Sequence, residues 1–382
     1  MSQKIVIQNE EENQLKAELE KRTDTEANRM KRLLAMPDLS RTVGNPIYEI
    51  VERVLTAPEF NGFDTIEVPE IVSTEITFDL FDFPSDHPVR SPSDTYYVDD
   101  NHILRTHTTI MWYYYLQDED VKQRMAAGEP VGCFSFGKVY RKDELDKQHM
   151  NVFHQIDGWY LSPKDKQVLT VTDLQNALLG FGRAVFGKDI KTRFNDDKFP
   201  YTDPSIEMEM DKDGQWIETG GAGIVKGSVL EKLGVDSSKW NGWAFGPGLE
   251  RFAMISMELP DIRLLWSDDS RVKSQLKLGQ KYKEVSKFPP VLRDISFVVP
   301  KTFVPNDYFD LIREVGKEMV ENVELIDKYE NGEKFGADKI SYTYRITYRH
   351  LEKTLTNEEV NAVHVELEKR TEIEFGAEIR RV

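Results

Sequence analysis

The chain has 382 residues, which at roughly 100–200 residues per domain is enough for two or three domains with cores of their own. Its 50 Lys and Arg residues against 67 Asp and Glu residues give a net charge of −17, which argues against bulk non-specific binding of nucleic acid but not against a local basic groove. A composition of 39% hydrophobic and 11% aromatic residues excludes disorder along the whole chain.

Neither a membrane span nor a disulfide is expected. No run approaches the ~20 apolar residues that a membrane helix needs. The single cysteine, Cys133, cannot form an internal disulfide and is compatible with a reducing compartment. The N-terminal residues have neither a secretory signal pattern nor an Arg-rich, acid-poor composition. We therefore expect a soluble protein of the cytoplasm, or of an organellar matrix after processing.

Periodicity and turn residues predict an α+β first part dominated by antiparallel sheet. In chain order its elements are a helical arm (9–36), a helix starting at Gly44-Asn45-Pro46 and ending before Asn61-Gly62, a strand (63–72), a Pro- and Asp-rich loop (81–100), an extended segment (102–109), an antiparallel pair of strands (131–140 and 151–161) joined by a charged loop (141–150), helices at 171–186 and 248–257, and strands at 205–210 and 215–219 followed by Gly220, Gly221 and Gly223.

A Lys-rich stretch at 268–287 has the composition of a linker, and a smaller domain follows it. Its predicted order is strand (294–299), helix (307–320), strand (323–329), strand (339–349), helix (357–367) and strand (378–381). This βαββαβ order is that of the ferredoxin-like plait. We predict an arm at 1–43, a first domain at 44–275, a linker at 276–286 and a second domain at 287–382.

Two segments carry residues suited to binding anions. Arg141 ends one predicted strand and FHQIDG (153–158) opens the next, and an arginine held on a rigid sheet can grip a phosphate bidentately. In GWAFGPGLERFAM (242–254) small residues precede a helix that carries Arg251, and a helix N-terminus also favours anions. Taken alone, each feature also fits an ordinary surface arginine or an ordinary glycine turn.

Together with Gly44-Asn45-Pro46 and Val68-Pro69-Glu70, these segments resemble motifs 1, 2 and 3 of class II aminoacyl-tRNA synthetases, and within that class they resemble the phenylalanyl-tRNA synthetases. The blocks that carry the resemblance are DHPVR (86–90), DTYYV (94–98), LRTHTT (104–109), YRKDELDKQH (140–149), FHQIDG (153–158), FPYTDPSIE (199–207), ETGGAG (218–223), AFGPGLER (244–251) and DIR (261–263). KFPPVLRDISF (287–297), SYTYRITYR (341–349) and TLTNEEV (354–360) resemble the family's ferredoxin-like anticodon-binding domain.

The resemblance implies a class II antiparallel sheet flanked by helices, and an enzyme that activates phenylalanine with ATP and transfers it to the terminal ribose of tRNA(Phe). It implies that Arg141 holds the α-phosphate and the reacting carboxylate and that Arg251 holds the γ-phosphate, these two being the catalytic residues. His149 and Phe153 would also contact ATP, and Glu218 would bind a Mg²⁺ ion.

The same resemblance implies an amino-acid pocket. Its residues would be Gln155 and Asp157 at the ammonium group, His107 and Thr109 near the adenylate, Phe199 and Tyr201 against the ring, and Ala244 and Gly246 at the floor. The family places its anticodon-binding domain on a separate subunit in most members, whereas here it follows the catalytic domain. This layout resembles the single-chain organellar type and implies a monomer without editing, although motif 1 commonly builds a dimer interface in this class.

Strand 341–349 alternates between a tyrosine face and a face carrying Arg345 and Arg349. We predict that the two arginines meet tRNA phosphate. Two alternatives stay open: the face with Tyr342, Tyr344 and Tyr348 stacks on bases, or the strand belongs to an ordinary sheet with one buried and one solvated face.

Four positions depart from the family's usual residues, namely Trp112 for Gln, Asp157 for Glu, Tyr201 for Phe, and Pro247 for Leu between Gly246 and Gly248. The first three belong to the expected amino-acid pocket. They leave two alternative functions open, a synthetase-like tRNA-binding or regulatory protein without activation, and a ligase for another aromatic or β-substituted amino acid.

Overall fold

The computed structural model of the protein describes residues 2–142, 146–212 and 214–380. The chain divides into two compact units, with the division between Tyr282 and Lys283. Leu276 and Tyr282, which the sequence places in the linker, are buried. The predicted domain boundaries stay predictions. Residues 143–145 of the charged loop lie outside the described residues.

The first unit combines a large sheet with helices. Its helices are α1 (Glu10–Lys21), α2 (Thr25–Ala35), α3 (Pro46–Leu55), α4 (Met111–Tyr115), α5 (Glu119–Ala126), α6 (Val171–Phe186), α7 (Gly227–Lys232), α8 (Leu249–Met257) and α9 (Ser270–Lys273). Its strands are β1 (Lys4–Val6), β2 (Asp64–Glu67), β3 (Ile71–Ser73), β4 (His102–Leu104), β5 (Val131–Tyr140), β6 (Val152–Pro163), β7 (Thr192–Asp197), β8 (Thr202–Lys212), β9 (Gln215–Val225) and β10 (Trp240–Phe245).

Eight of these strands form one sheet in the order β1-β2-β5-β6-β10-β9-β8-β7, and β3 and β4 form a separate pair. Pairing is parallel between β1 and β2 and between β2 and β5, and antiparallel across the rest of the sheet. Helices α3, α6 and α8 pack together beside it. The predicted α+β class is confirmed, with a mixed sheet rather than a purely antiparallel one.

The predicted single strand over 63–72 is wrong, because two strands separated by Val68-Pro69-Glu70 occupy it. Pro69 has no N–H to donate to a ladder. The carbonyls of Val68 and Pro69 instead accept hydrogen bonds from the buried Arg105 guanidinium, at 2.7 and 3.2 Å. The chain therefore turns away from β2 before β3 begins.

The glycines predicted to follow a strand at 215–219 lie inside β9, which continues to Val225. Close packing requires them there. A Cβ on Gly221 would lie 2.2 Å from the Phe199 ring, and a Cβ on Gly220 would lie 2.6 Å from Pro247 Cβ. Both contacts are far below van der Waals distance, so the strand carries glycine where neighbouring groups approach the backbone.

The second unit contains helices α10 (Pro305–Gly316), α11 (Gly332–Phe335) and α12 (Asn357–Phe375) and strands β11 (Val291–Pro300), β12 (Val320–Tyr329), β13 (Lys339–Tyr348) and β14 (Glu378–Ile379). The strand order is β12-β13-β11-β14 with antiparallel pairing throughout, which confirms the ferredoxin-like prediction. The helix predicted to reach residue 320 ends at Gly316, and the helix predicted to end at 367 continues to Phe375. Residue 381 of the last predicted strand lies outside the described residues.

Tyr342, Tyr344 and Tyr348 are buried in the core of the second unit, where Tyr344 packs on Phe297. The alternative in which this face stacks on bases is therefore wrong. Among the described residues, no helix is both long and apolar enough to cross a bilayer.

Candidate active site

A cleft of about 350 Å³ opens in the first unit around the start of α8 and the adjoining strands. It brings together many of the residues predicted for ATP and the amino acid: Arg141, His149, Phe153, Gln155, Phe199, Tyr201, Glu218, Gly246 and Arg251. A smaller cavity shares some of these residues and adds Thr109, Asp157 and Ala244. Residues more than 140 positions apart along the chain therefore meet at one site.

Arg141 directly follows β5 and is fixed at its stem. Its Nε donates to the Thr106 carbonyl at 3.0 Å, its backbone N–H donates to the Asn151 carbonyl at 3.1 Å, and its guanidinium lies 5.1 Å from the centre of the Phe153 ring. The register of β5 and β6 explains this position, because Tyr140 pairs with Val152 at the end of the two strands and Arg141 follows directly. The guanidinium is thereby held at the mouth of the cleft.

Arg251 lies in the first turn of α8, whose N-cap is Gly248. No ion pair joins Arg251 to another described residue, and the helix N-terminus adds a partial positive charge at this place. His149 lines the same cleft from the loop between β5 and β6, with its Nδ1 2.8 Å from an Asp146 carboxylate oxygen. An arginine, a helix N-terminus and a histidine thus face one space, an arrangement suited to a polyphosphate.

Asp157 is buried beneath the cleft and held by two hydroxyl groups. Thr109 Oγ1 donates to Oδ1 at 2.7 Å and Thr108 Oγ1 donates to Oδ2. Burial raises the pKa of Asp157 to about 6, although both threonine hydrogen bonds oppose the rise. A cationic ligand beside this carboxylate would restore its ionised form.

Thr108 is a site residue that the sequence analysis missed. Adjacent residues of an extended strand point to opposite faces, so a strand over 102–109 would bring only one of the two threonines to Asp157. The prediction of extended structure there is wrong beyond Leu104, where β4 ends. The turn that precedes α4 allows Thr108 and Thr109 to reach the same carboxylate. The signal available in the sequence was the pair of adjacent threonines in LRTHTT.

Gln155 and Gly246 complete the polar end of the pocket. Gln155 Nε2 donates to the Gly246 carbonyl at 2.7 Å. A Cβ on Gly246 would lie 2.7 Å from Asp157 Oδ1 and 2.9 Å from Gln155 Nε2. Any side chain at this position would fill the space between these groups, so the glycine keeps that space open for a ligand.

Aromatic rings surround the apolar end of the pocket. Tyr201 stacks near Phe199, with ring centres 6.0 Å apart, and meets Trp112 edge-on at 5.9 Å. Burial, and then the Asp157 carboxylate, raise the pKa of the Tyr201 phenol. Phe81 and Phe83 also contact Tyr201, at 5.9 Å each, from a segment that the sequence analysis assigned only to a loop.

His107 is placed differently from the other predicted pocket residues, because it is not among the described residues that line the two cavities. It is buried between Phe81 and Phe83, with ring centres 5.9 and 6.0 Å away. Burial, and then the nearby Arg141 cation, lower the pKa of His107 to about 3. The imidazole is therefore neutral throughout the physiological pH range.

Glu218 on β9 is exposed and lines the cleft that Arg141 and Arg251 also face. Among the described residues, no group of three His, Cys, Asp or Glu side chains is arranged to hold a metal ion. Mg²⁺ commonly binds through one or two carboxylates together with substrate phosphates and water. A single cleft carboxylate fits an ion that arrives with a triphosphate.

The predicted tRNA-binding arginines lie on β13 and directly after it, in the second unit. Arg345 forms two hydrogen bonds with Asp294, at 2.8 and 2.9 Å, and Arg349 Nε lies 3.2 Å from a Glu321 carboxylate oxygen. Arg345 is half-buried on the sheet face opposite the buried tyrosines.

Comparison with known proteins matches both units. Residues 34–276 match the family described as tRNA synthetases class II core domain (F), and residues 286–380 match the ferredoxin-fold anticodon binding domain. The phenylalanine–tRNA ligase of Arabidopsis thaliana chloroplasts and mitochondria is 36% identical, with 84% of this chain and 74% of that protein covered. The chain belongs to the phenylalanine–tRNA ligase family. The mitochondrial members from Mus musculus (34%, with 85% and 76% covered) and Saccharomyces cerevisiae (30%, with 87% and 86% covered) are also similar to it.

The structure explains two of the departures from the usual residues of phenylalanine–tRNA ligases. Trp112 is fully buried and stacks on Trp159 with ring centres 5.0 Å apart and planes 4° apart, so it forms the core beneath Tyr201. Pro247 offers its carbonyl to the Ile156 N–H at 3.1 Å, an interaction that any residue can make through its backbone. Both substitutions are therefore compatible with the family's fold around the site.

Proposed function

We propose that this chain is a phenylalanine–tRNA ligase, which joins phenylalanine to AMP with release of pyrophosphate and then transfers it to the terminal ribose of tRNA(Phe). The observation that carries the proposal is the placement of Arg141 and Arg251 around one cleft, with the buried Asp157 at its inner end. Membership of the family supports the reaction class. The lining of the inner cavity supports an aromatic amino acid.

In the first step an oxygen of the phenylalanine carboxylate attacks the α-phosphorus of ATP, and the bond to the bridging oxygen of pyrophosphate breaks. Two anions must approach each other, so fixed cations lower the barrier without forming any covalent bond to the protein. We assign Arg141 to the α-phosphate and the attacking carboxylate, and Arg251 to the γ-phosphate. His149 and Phe153 complete the ATP contacts. Glu218 would hold Mg²⁺ together with the phosphates, and the ion would supply further neutralisation of charge.

The amino acid is held at both ends. We assign Asp157 and Gln155 to the ammonium group, with Thr109 orienting Asp157. His107 does not line the cavities, so we assign it only an indirect role, as a neutral buried side chain packed between Phe81 and Phe83. Phe199 and Tyr201 contact the ring through edge-to-face or offset geometry. The small side chain of Ala244 leaves room for the ring, and Gly246, which has no side chain, leaves open the space beside Gln155 and Asp157.

We assign Arg345 and Arg349 to weak contacts with tRNA phosphate. Both already have acidic partners, so a phosphate must replace Asp294 or Glu321, and each contact will be sensitive to salt. One chain carries both the catalytic and the anticodon-binding units, which supports a monomer. We propose the cytoplasm or an organellar matrix as its compartment, since several relatives bear organellar names.

The test is pyrophosphate exchange by the purified chain with ATP and each of the twenty amino acids. Exchange that depends on phenylalanine alone supports the proposal. Exchange with another aromatic amino acid keeps the chemistry and overturns the specificity. If folded protein shows no exchange with any amino acid, the alternative of a tRNA-binding relative that does not activate an amino acid is favoured. Light scattering on the same sample distinguishes a monomer from a dimer built through motif 1.

A further inference from the structure

Three segments of the first unit meet at a buried histidine that the proposed chemistry does not use. His154 lies on β6 and is 0% exposed, and Glu250 on α8 is 3% exposed. The backbone N–H of His154 donates to both carboxylate oxygens of Glu250 at 2.9 Å, and the ring Nδ1 lies 2.6 Å from Oε1. The strand and the helix are thus joined through one carboxylate.

The remaining ring nitrogen fixes the tautomer. His154 Nε2 accepts a hydrogen bond from the Leu39 backbone N–H at 2.9 Å, so the ring proton is on Nδ1 and is donated to Glu250. Asp38 Oδ1 lies 3.4 Å from the same Nε2. The end of the N-terminal arm is therefore connected through His154 to the first turn of α8.

The backbone explains why a carboxylate is needed at this place. The Ile156 N–H donates to the Pro247 carbonyl at 3.1 Å and Gln155 forms a bridge with Gly248, so the segment before α8 pairs with β6 like a strand. The next residue of this segment, Leu249, begins α8, so its carbonyl is not available to β6. The Glu250 side chain takes over as the acceptor for the next N–H, that of His154.

This contact sets the geometry of the cleft. Alternate residues of β6 face one side, so Phe153 and Gln155 point into the cleft while His154 points away from it. Successive side chains on a helix are about 100° apart, so Arg251 and Glu250 point in different directions. Both residues line the cleft, and the Glu250 carboxylate is held against His154 on β6. A shift of Glu250 against His154 would move Arg251 relative to Phe153.

We infer that His154 and Glu250 are positioning residues that set Arg251 against Phe153 for binding of a nucleoside triphosphate. The inference rests on the proposed function only in naming ATP as that triphosphate. Neither side chain transfers a proton or touches the reacting atoms. Their role is to hold two ATP-binding groups, carried by separate elements, at one fixed separation.

The test compares His154→Gln, Glu250→Gln and the double variant with the wild-type chain. We expect each single variant to weaken ATP binding, measured by titration calorimetry, about tenfold. A misplacement of about 1 Å can cost up to about 10²-fold in rate, and only one of the ATP-binding groups is displaced here. The KM for phenylalanine should change less than twofold. The double variant should bind ATP no more weakly than the weaker single variant, because the two residues act as one unit.

His364→Gln is the matched control, since His364 is also a buried histidine, 8% exposed, with its Nδ1 3.1 Å from the Tyr348 hydroxyl in the second unit. It should leave ATP binding unchanged. Active-site titration gives the fraction of folded protein in each sample, and each ATP affinity is corrected for that fraction. A loss of stability is then not mistaken for a loss of affinity. If Glu250→Gln does not fold, Glu250→Asp keeps the charge and withdraws it from His154.

Wild-type ATP affinity in the folded His154 and Glu250 variants would overturn the inference, and so would parallel losses for ATP and phenylalanine, which indicate general loosening. The proposed function fails separately. A wild-type chain that binds ATP but shows no amino-acid-dependent exchange removes the ligase assignment, while the calorimetric comparison still decides the positioning role. A wild-type chain that binds no ATP would overturn both.

Discussion

Two largely buried carboxylates of the first unit have opposite surroundings. Asp157 at the cleft receives hydrogen bonds from neutral threonine hydroxyls, and no described cation forms an ion pair with it. Glu70, between β2 and β3, has Lys138 Nζ at 3.2 Å, Lys16 Nζ at 3.6 Å and the Tyr140 hydroxyl at 2.6 Å. Among the described residues, no cation is in ion-pair contact with the first carboxylate, and two are in such contact with the second.

Their pKa values differ in direction for that reason. Burial raises the pKa of Asp157 to about 6. Burial also raises the pKa of Glu70, but Arg105, Lys138 and Tyr140 outweigh it and hold that pKa below its usual value. A structural ion-pair network supplies its own countercharge, whereas the cleft leaves one carboxylate whose partner must come from a ligand. The difference marks Asp157 as a binding residue and Glu70 as a structural one.

The largest effect is expected from Asp157→Asn, which keeps the shape of the side chain and removes its charge. We expect kcat/KM for phenylalanine in pyrophosphate exchange to fall about 10³-fold, because truncating one partner of a buried charge pair costs several kcal/mol. The KM for ATP should change less than twofold. A variant with wild-type kcat/KM for phenylalanine would remove Asp157 from the ammonium site.

The same variant should unfold less readily without substrate. Since the pKa of Asp157 is raised in the folded state, its stabilising contribution is complete below the unfolded value and is lost as the pH rises through about 6. At pH 8 the ionised group therefore disfavours folding, by on the order of 3 kcal/mol. Urea unfolding at pH 8 should show Asp157→Asn to be more stable than the wild type. Equal stability would contradict the view that the ionised Asp157 carboxylate disfavours folding.

Glu70→Gln should have the reverse pattern, with stability lost and substrate binding kept. It leaves the Lys138 ammonium, 6% exposed, without its buried anion, and breaking such a pair costs about 3 kcal/mol. Because the pKa of Glu70 is lowered in the folded state, the deficit should shrink as the pH falls through that pKa. Urea unfolding measures the loss, and Lys138→Met in addition should recover part of it. A Glu70→Gln variant as stable as the wild type would show that the network is not stabilising.

The comparison also predicts a pH dependence. Only ionised Asp157 can hold an ammonium group, so kcat/KM for phenylalanine should fall about tenfold per pH unit below about 6, whereas binding of ATP should not follow this titration. Exchange rates between pH 5 and 8 measure the profile. In Asp157→Asn the profile should lose this limb, and a limb that persists in the variant would belong to another group.

Periodicity and the resemblance to the synthetase motifs were enough to predict the fold class and most of the residues at the cleft, because β5, β6 and α8 carry the matching residues within continuous segments. It did not predict groups whose partners come from distant segments. Thr108 depends on a turn after β4, and the break between β2 and β3 depends on Arg105. The contact between His154 and Leu39 joins residues 115 positions apart, so local patterns carry no trace of it.

The smallest effect concerns shape rather than charge. Ala244 is buried at the small cavity, which Phe199 and Tyr201 also line. Removing one methyl group from a pocket changes discrimination between substrates by about 1–3 kcal/mol, so Ala244→Gly should admit p-chlorophenylalanine at least about tenfold better than the wild type does. Pyrophosphate exchange with that analogue and with phenylalanine gives the ratio. If both proteins exclude p-chlorophenylalanine equally, the ring of the amino acid does not contact Ala244. The assignment of Asp157 to the ammonium group would still stand, because the charge of the pocket and its shape are tested independently.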